Sequence, residues 1–294
     1  MSVLLFGANG WIGKQMVALL ELRNIHVIKA ISRADTIKDV EQEIVNNPTI
    51  THVMSFIGRT HGVYDSEIIS TIDYLEKPGK LKDNINDNLY SPIVLAEVCK
   101  KHSIHFTYLG TGCIFEYDNN HTIENGFTES DLPNFFGSSY SIVKGYTDRL
   151  MHELYNDSTL NVRIRMPITD TVNTRNFITK ITNYKKVCSV PNSMTVLDDI
   201  LPIILNCALE GKVGTYNFTN PGVITHNEIL EMYKEIVDSS FTWENFSIEE
   251  QNTILASKRS NNYLDTRKLE GIATIPDIKT SIRNVLLRMK NNNK

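Results

Sequence analysis

Tyr140-Ser141-Ile142-Val143-Lys144 sets a phenol and an ammonium four residues apart. On a helix such a pair shares one face. A neighbouring cation favours phenolate, so Lys144 is expected to lower Tyr140 from the ordinary phenol pKa of about 10. Tyr140 is then a candidate proton donor to a carbonyl oxygen that receives hydride. Most YxxxK pairs arise by chance, and this one gains meaning only from its surroundings. Thr111 lies just beyond Phe106 to Leu109, an apolar run that reads as a strand. A hydroxyl there could orient a substrate carbonyl. Cys113 follows two residues later. A thiol beside a lysine could act as acid or base; a buried structural cysteine is the alternative. Lys180, by its own pattern, reads as a surface residue of a helix.

A second feature lies at the start of the chain. Val3-Leu4-Leu5-Phe6 has the form of a buried parallel strand. Gly7-Ala8-Asn9-Gly10-Trp11-Ile12-Gly13 follows, then Met16, Val17, Leu19 and Leu20 at helical spacing. In this context the glycines permit a tight turn, admit a pyrophosphate to the backbone and let the helix sit on the strand. The helix N-terminus offers free N–H groups to the phosphates. Gly7, Asn9, Gly10, Trp11, Ile12 and Gly13 are therefore expected to hold a dinucleotide, with Tyr140 and Lys144 at its reactive end. At the end of the second strand, Ile25 to Ile31, a reader of a ribose diol would be Asp or Glu. Ser32 and Arg33 stand there instead and suit a 2′-phosphate, which favours NADP(H) over NAD.

These residues need a scaffold, and the pattern supplies one. Asp39 to Val45, Leu89 to Lys101 and Tyr140 to Leu154 read as helices; His52 to Ile57, Phe106 to Leu109 and Asn161 to Arg165 read as strands. Repeated βα units predict an α/β protein: a Rossmann-type, doubly wound parallel sheet with helices on both faces. Residues 58–88 read as a loop with a short helix, and Tyr117 to Ser139 as a loop. After Pro167 the rhythm changes. Residues 1–166 are expected to form the nucleotide domain, with 193–219 returning to it. Residues 167–192 and 220–294 would form a smaller C-terminal α/β substrate lobe.

Composition sets the remaining bounds. The 294 residues are 41% hydrophobic, with 30 basic against 34 acidic side chains and a net charge of -4. Disorder is excluded, and a nucleic-acid surface, which needs a basic patch, is not expected. The four cysteines form no CxxC pair, and the histidines form no HxxxH, so no metal site is expected. Reduced thiols and the lack of a long apolar run point to the cytoplasm and away from a membrane.

Several stretches together are more specific than either motif. They are Gly110-Thr111-Gly112-Cys113-Ile114-Phe115-Glu116-Tyr117-Asp118, Pro133-Asn134-Phe135 leading into Gly137-Ser138-Ser139-Tyr140, Arg165-Met166-Pro167, Arg175-Asn176-Phe177-Ile178-Thr179-Lys180, Pro191-Asn192-Ser193-Met194-Thr195, Asn217-Phe218-Thr219-Asn220-Pro221-Gly222, and Arg259-Ser260-Asn261-Asn262 with Leu264-Asp265. Through them nearly the whole chain resembles the RmlD-like branch of extended short-chain dehydrogenase/reductases. Within that branch it is most similar to the bifunctional UDP-4-keto-6-deoxy-D-glucose 3,5-epimerase/4-reductases, the UDP-rhamnose synthases. The resemblance implies a reductase triad of Thr111, Tyr140 and Lys144, and an epimerase acid/base pair of Cys113 and Lys180. It implies contacts to a UDP-sugar from Asn88, Asn176 and Arg259, with Arg259 at the pyrophosphate, and it implies a homodimer. UDP rather than dTDP also comes from the resemblance. A reductase without epimerase activity, or a non-catalytic NADP-binding subunit, are the competing expectations. One departure stands out: Phe56-Ile57-Gly58-Arg59-Thr60-His61-Gly62 replaces the family's Asn-Ala-Ala-Gly pattern after the third strand.

Overall fold

The computed structural model describes residues 1–292. The chain opens with β1 (Ser2–Phe6), α1 (Trp11–Leu22), β2 (His26–Lys29), α2 (Ile37–Asn46) and β3 (Ile50–Ser55). A short antiparallel hairpin, β4 (Gly62–Tyr64) and β5 (Glu67–Ile69), leads to α3 (Lys80–Ile85), α4 (Ser91–Lys101), β6 (His105–Thr111), α5 (Ser139–Leu154) and β7 (Thr159–Ile164). Then come β8 (Pro167–Ile168), α6 (Phe177–Thr182), β9 (Lys186–Val187), β10 (Thr195–Val196), α7 (Leu197–Leu209), β11 (Gly214–Asn217) and α8 (His226–Ile236). The last elements are β12 (Glu244–Asn245), α9 (Ile248–Ile254), α10 (Arg267–Glu270) and α11 (Ile278–Asn292).

Six parallel strands form the main sheet in the order β11-β7-β6-β3-β1-β2. The chain leaves β1 for β2 on one side and returns to β3 on the other. That reversal opens a crevice at the carboxyl ends of β1 and β3, where open α/β sheets take ligands. Every residue of β1 and β7 is buried, as strands covered on both faces must be. Met16, Val17 and Leu20 of α1 pack with Ile200, Leu201, Ile204 and Leu205 of α7 on one face. Val40 and Ile44 of α2, Val94, Leu95 and Val98 of α4, and Met151 of α5 cover the other. A third core gathers Ile178 and Ile181 of α6, Ile229 and Leu230 of α8, and Ile282, Val285 and Leu286 of α11. Among the described residues no helix is long and apolar enough to cross a membrane.

Residues 58–88 hold more structure than a loop with one helix. Besides α3 they contain the hairpin, a 3-10 turn (Ile72–Glu76) and a wide π turn (Asn86–Tyr90) feeding α4. Tyr74 and Leu75 anchor the 3-10 turn by burial. Polar residues dominate the segment, so its few apolar anchors make no periodic pattern.

Candidate active site

The glycine turn is built as a cradle. Gly7 has φ +75°, and a Cβ there would lie 2.7 Å from the Phe56 carbonyl carbon. A Cβ on Gly13 would lie 2.1 Å from the Gly7 oxygen. The Gly10 N–H donates to the Gly7 carbonyl at 2.9 Å, and no side chain caps α1. Asn9 and Gly10 are exposed at the rim, while Trp11 and Ile12 lean on the core. Beyond β2, the buried Ser32 hydroxyl has no hydrogen-bond partner among the described residues. The exposed Arg33 guanidinium pairs with Asp35, Nε–Oδ1 at 3.0 Å and Nη2–Oδ2 at 2.7 Å. Hydrogen bonds from Arg33 and then Asn86 bring the Asp35 carboxyl down to about 2. The Ile31 and Ser32 N–H groups both donate to Glu43, each at 2.9 Å. A cradle that side chains would fill, uncapped helix amides and an orphaned hydroxyl beside a guanidinium together fit a phosphorylated dinucleotide.

Thr111 ends β6 at the crevice, and Tyr140 and Lys144 lie on the first two turns of α5. Ser138 starts that helix by accepting from the Ser141 N–H at 3.0 Å. The Thr111 Oγ accepts from the Cys113 N–H at 3.1 Å. Its own hydrogen is thereby free for the neighbouring Tyr140 phenol, where it favours phenolate. Burial nevertheless pushes Tyr140 above the ordinary phenol value, and the Cys113 charge adds to the rise. The expectation that Lys144 lowers Tyr140 is thus corrected. Burial takes Lys144 itself down to about 7, against the opposing pull of Asp148 and Cys113. Its ammonium donates to the Tyr108 hydroxyl and, at 3.4 Å, to the Leu109 carbonyl.

Cys113 is half-buried and is not sunk into the core. Tyr140, Lys144, Arg165 and Lys180 all lie within electrostatic range of it. The backbone on either side of it is clamped. The Gly112 carbonyl accepts from Arg165 at 3.0 Å and from Asn262 at 2.9 Å, and the Phe115 carbonyl accepts from Ser260 at 2.6 Å and from Asn262 at 2.9 Å. Arg165 was not singled out by residue type or spacing. It is 1% exposed and has no carboxylate partner among the described residues, and burial depresses it. Lys180, read as a surface residue from its pattern, is instead half-buried. Burial lowers it, and the charges of Arg175 and Arg259 lower it further. His61 is brought down to about 4 by burial, then by Arg175, Arg59 and Lys180. Arg175, Lys180 and Arg259 make a cationic wall suited to an anionic group.

The three residues expected at the substrate take other partners here. Asn88 is fully buried in the π turn; its amide accepts from the Arg59 N–H at 3.0 Å and donates to the Arg59 carbonyl at 2.9 Å and to Asn84 at 2.8 Å. It therefore holds the loop after β3. Asn176 is also fully buried. It caps α6 at the Ile178 N–H and donates to the Thr169 and Thr171 carbonyls, each at 2.8 Å. With its amide spent in this way, it orients the helix that carries Lys180. Arg259 keeps a quarter of its side chain exposed and pairs with Asp73 at 2.6 Å. Asp73 lies in the 3-10 turn of residues 58–88, a role no pattern in the sequence announced.

Residues 3–174 match the model of the NAD dependent epimerase/dehydratase family. The chain is 54% identical over 292 residues to the uncharacterized protein L780 of Acanthamoeba polyphaga mimivirus, with 99% of each chain covered. The crystal structure of the L780 UDP-rhamnose synthase from that virus superposes with a TM-score of 0.93 at 53% identity, covering 98% of this chain and 99% of that one. A bifunctional dTDP-4-dehydrorhamnose 3,5-epimerase/reductase of Arabidopsis thaliana is 41% identical over 272 residues, 92% of this chain and 86% of the relative. A dTDP-4-dehydrorhamnose reductase from Bacillus anthracis, solved with NADP, shares the fold at a TM-score of 0.77 and 17% identity, with 98% of each chain covered.

Proposed function

The chain belongs to the NAD dependent epimerase/dehydratase family, and from that premise we propose that it converts UDP-4-keto-6-deoxy-D-glucose to UDP-L-rhamnose, using NADPH. One observation carries the reading. The half-buried Cys113, its N–H bonded to Thr111 at 3.1 Å, lies within electrostatic range of Tyr140, Lys144 and the half-buried Lys180. A plain reductase needs only Thr111, Tyr140 and Lys144.

A ketone at C4 acidifies the hydrogens on C3 and C5. Cys113 and Lys180 remove a proton at each carbon and return one to the opposite face, which inverts both centres. Lowered by burial and by two arginines, Lys180 is a better base at neutral pH than an ordinary lysine. Bound NADPH supplies the hydride for C4. Tyr140, raised by burial and so held protonated, delivers the proton to O4. Thr111 orients that oxygen. The glycine turn, Ser32 and Arg33 hold the cofactor, and Arg259 with Arg175 face the diphosphate. The four free cysteines suit a reducing compartment, and we assign the protein to the cytoplasm. A homodimer would cover the exposed Tyr90 and Tyr146 on adjoining helices.

Incubation with the 4-keto-6-deoxy sugar on UDP and on dTDP, each with NADPH, tests the proposal. The expected outcome is L-rhamnose on UDP with one NADPH consumed per sugar. A product of unaltered C3 and C5 configuration would overturn it.

A further inference from the structure

We propose that Tyr108 is a positioning residue for the reduction half of the chemistry, its hydroxyl setting where the Lys144 ammonium points, with no part in epimerisation. The inference rests on the reductase reading of Tyr140 and Lys144. Tyr108 lies on β6 three residues before Thr111, fully buried within the sheet core. A tyrosine there reads as packing. Its hydroxyl, however, accepts from Lys144, and its ring centre lies 4.5 Å from the same nitrogen. The second hydrogen of the ammonium goes to the Leu109 carbonyl at 3.4 Å. The third is left for the crevice.

No other side chain hydrogen-bonds to Lys144 among the described residues. Asp148, one turn further along α5, is committed elsewhere: Arg163 grips it at 2.9 and 2.7 Å and Asn161 at 2.9 Å. The titratable groups around Lys144 are thus Tyr108 on β6, Tyr140 and Asp148 on α5, and Cys113 in the loop after β6. Burial, with Tyr140 and Asp148, raises Tyr108 far above the ordinary phenol range, so it accepts as a neutral group throughout the working pH. A second hydroxyl stands close to Tyr108. The Thr147 hydroxyl beside it donates to the Asn88 carbonyl at 2.7 Å and to the Val143 carbonyl at 2.9 Å. The Tyr108 hydroxyl is thus the one side-chain partner of the ammonium among the described residues, and no hydrogen bond links it to Cys113 or Lys180.

Tyr108→Phe removes that hydroxyl and leaves the ring. The expected result is a reduction kcat lowered about 10- to 100-fold, with KM for NADPH and sugar within about twofold. The charged form of Lys144 loses its partner, so the pH profile of reduction moves to lower pH. Deuterium uptake from solvent at C3 and C5 stays at the wild-type rate and reports an intact fold. Equal loss in both halves, or an unmoved reduction rate and pH profile, would overturn the proposal. If Tyr108→Phe does not fold, Thr147→Val decides: the same loss confined to reduction supports the role, and unchanged reduction overturns it. Wild-type enzyme that exchanges C3 and C5 hydrogens but never oxidises NADPH would refute the reductase reading instead.

Discussion

The Arg259 guanidinium is ion-paired with the Asp73 carboxylate at 2.6 Å, joining the segment after β3 to one near the end of the chain. The Ser257 N–H and hydroxyl donate to the same carboxylate at 3.0 and 2.8 Å. Burial alone would raise Asp73, but Arg259, Thr71 and Ser257 outweigh it and hold the carboxyl below its ordinary value. Stability from such a group is present above the unfolded pKa and lost as pH falls through the lower folded one. Asp73→Asn should cost about 1–3 kcal/mol at pH 7, with the gap to wild type closing in acid. Urea titrations at pH 7 and pH 3 measure this. A gap independent of pH would contradict the assignment.

Cys113→Ala removes the sulfur from a seat clamped by backbone contacts on both sides, so the fold should survive. C3 and C5 exchange should fall at least about 100-fold. Reduction of a sugar already epimerised should persist within about threefold. NMR of deuterium incorporation and NADPH absorbance read the two halves separately. Wild-type conversion of the unepimerised sugar by this variant would leave a reductase only.

Lys144 is depressed to about 7 by burial. Below that value its buried charge opposes folding. Between it and the unfolded lysine value of about 10.4, the unfolded chain binds the extra proton, so this contribution to stability rises with pH. Lys144→Met should therefore raise the melting temperature near pH 6, abolish reduction, and lose its stability advantage by about pH 10. Thermal melts across that range test the trend; a variant less stable at pH 6 would refute it.

Arg33 is exposed and already paired with Asp35. A 2′-phosphate would draw the guanidinium from one anion to another. Arg33→Ala should weaken NADPH about tenfold or more and NADH by less than about twofold. Fluorescence titration with both cofactors decides, and equal loss for both would show that Arg33 does not read the phosphate.

Legibility in the sequence followed the range of the forces involved. The glycine turn was readable because Gly7 needs a positive φ and Gly13 answers to the Gly7 backbone six residues away. The alternating units were readable because strands covered on both faces need continuous apolar runs. Residues 58–88 were not, since three-residue strands and a 3-10 turn rest on isolated anchors such as Tyr74. The burial of Lys180 was hidden because α6 is seated by Asn176, whose amide bonds loop carbonyls that carry no pattern of their own. Tyr108 was hidden because its hydroxyl works from inside a core. Arg165 left one trace. Arg163 and Arg165 interrupt a buried strand and its extension, and a charge in such a run must have a reason. Family resemblance supplied roles that no spacing could, while the saturated amides of Asn88 and Asn176 emerged only from coordinates.

The Gly112 carbonyl waits for Asn262, 150 residues further along the chain. At ribosomal speeds that distance takes roughly 8–30 s to synthesise. Once β11 has followed at Asn217, and until Asn262 is made, an emerging chain has every strand of its main sheet before the sulfur has a fixed place. A ribosome stalled just short of Ser260 should therefore carry a nascent chain that retains NADPH yet leaves Cys113 open to thiol reagents, and release of the last segment should close that window.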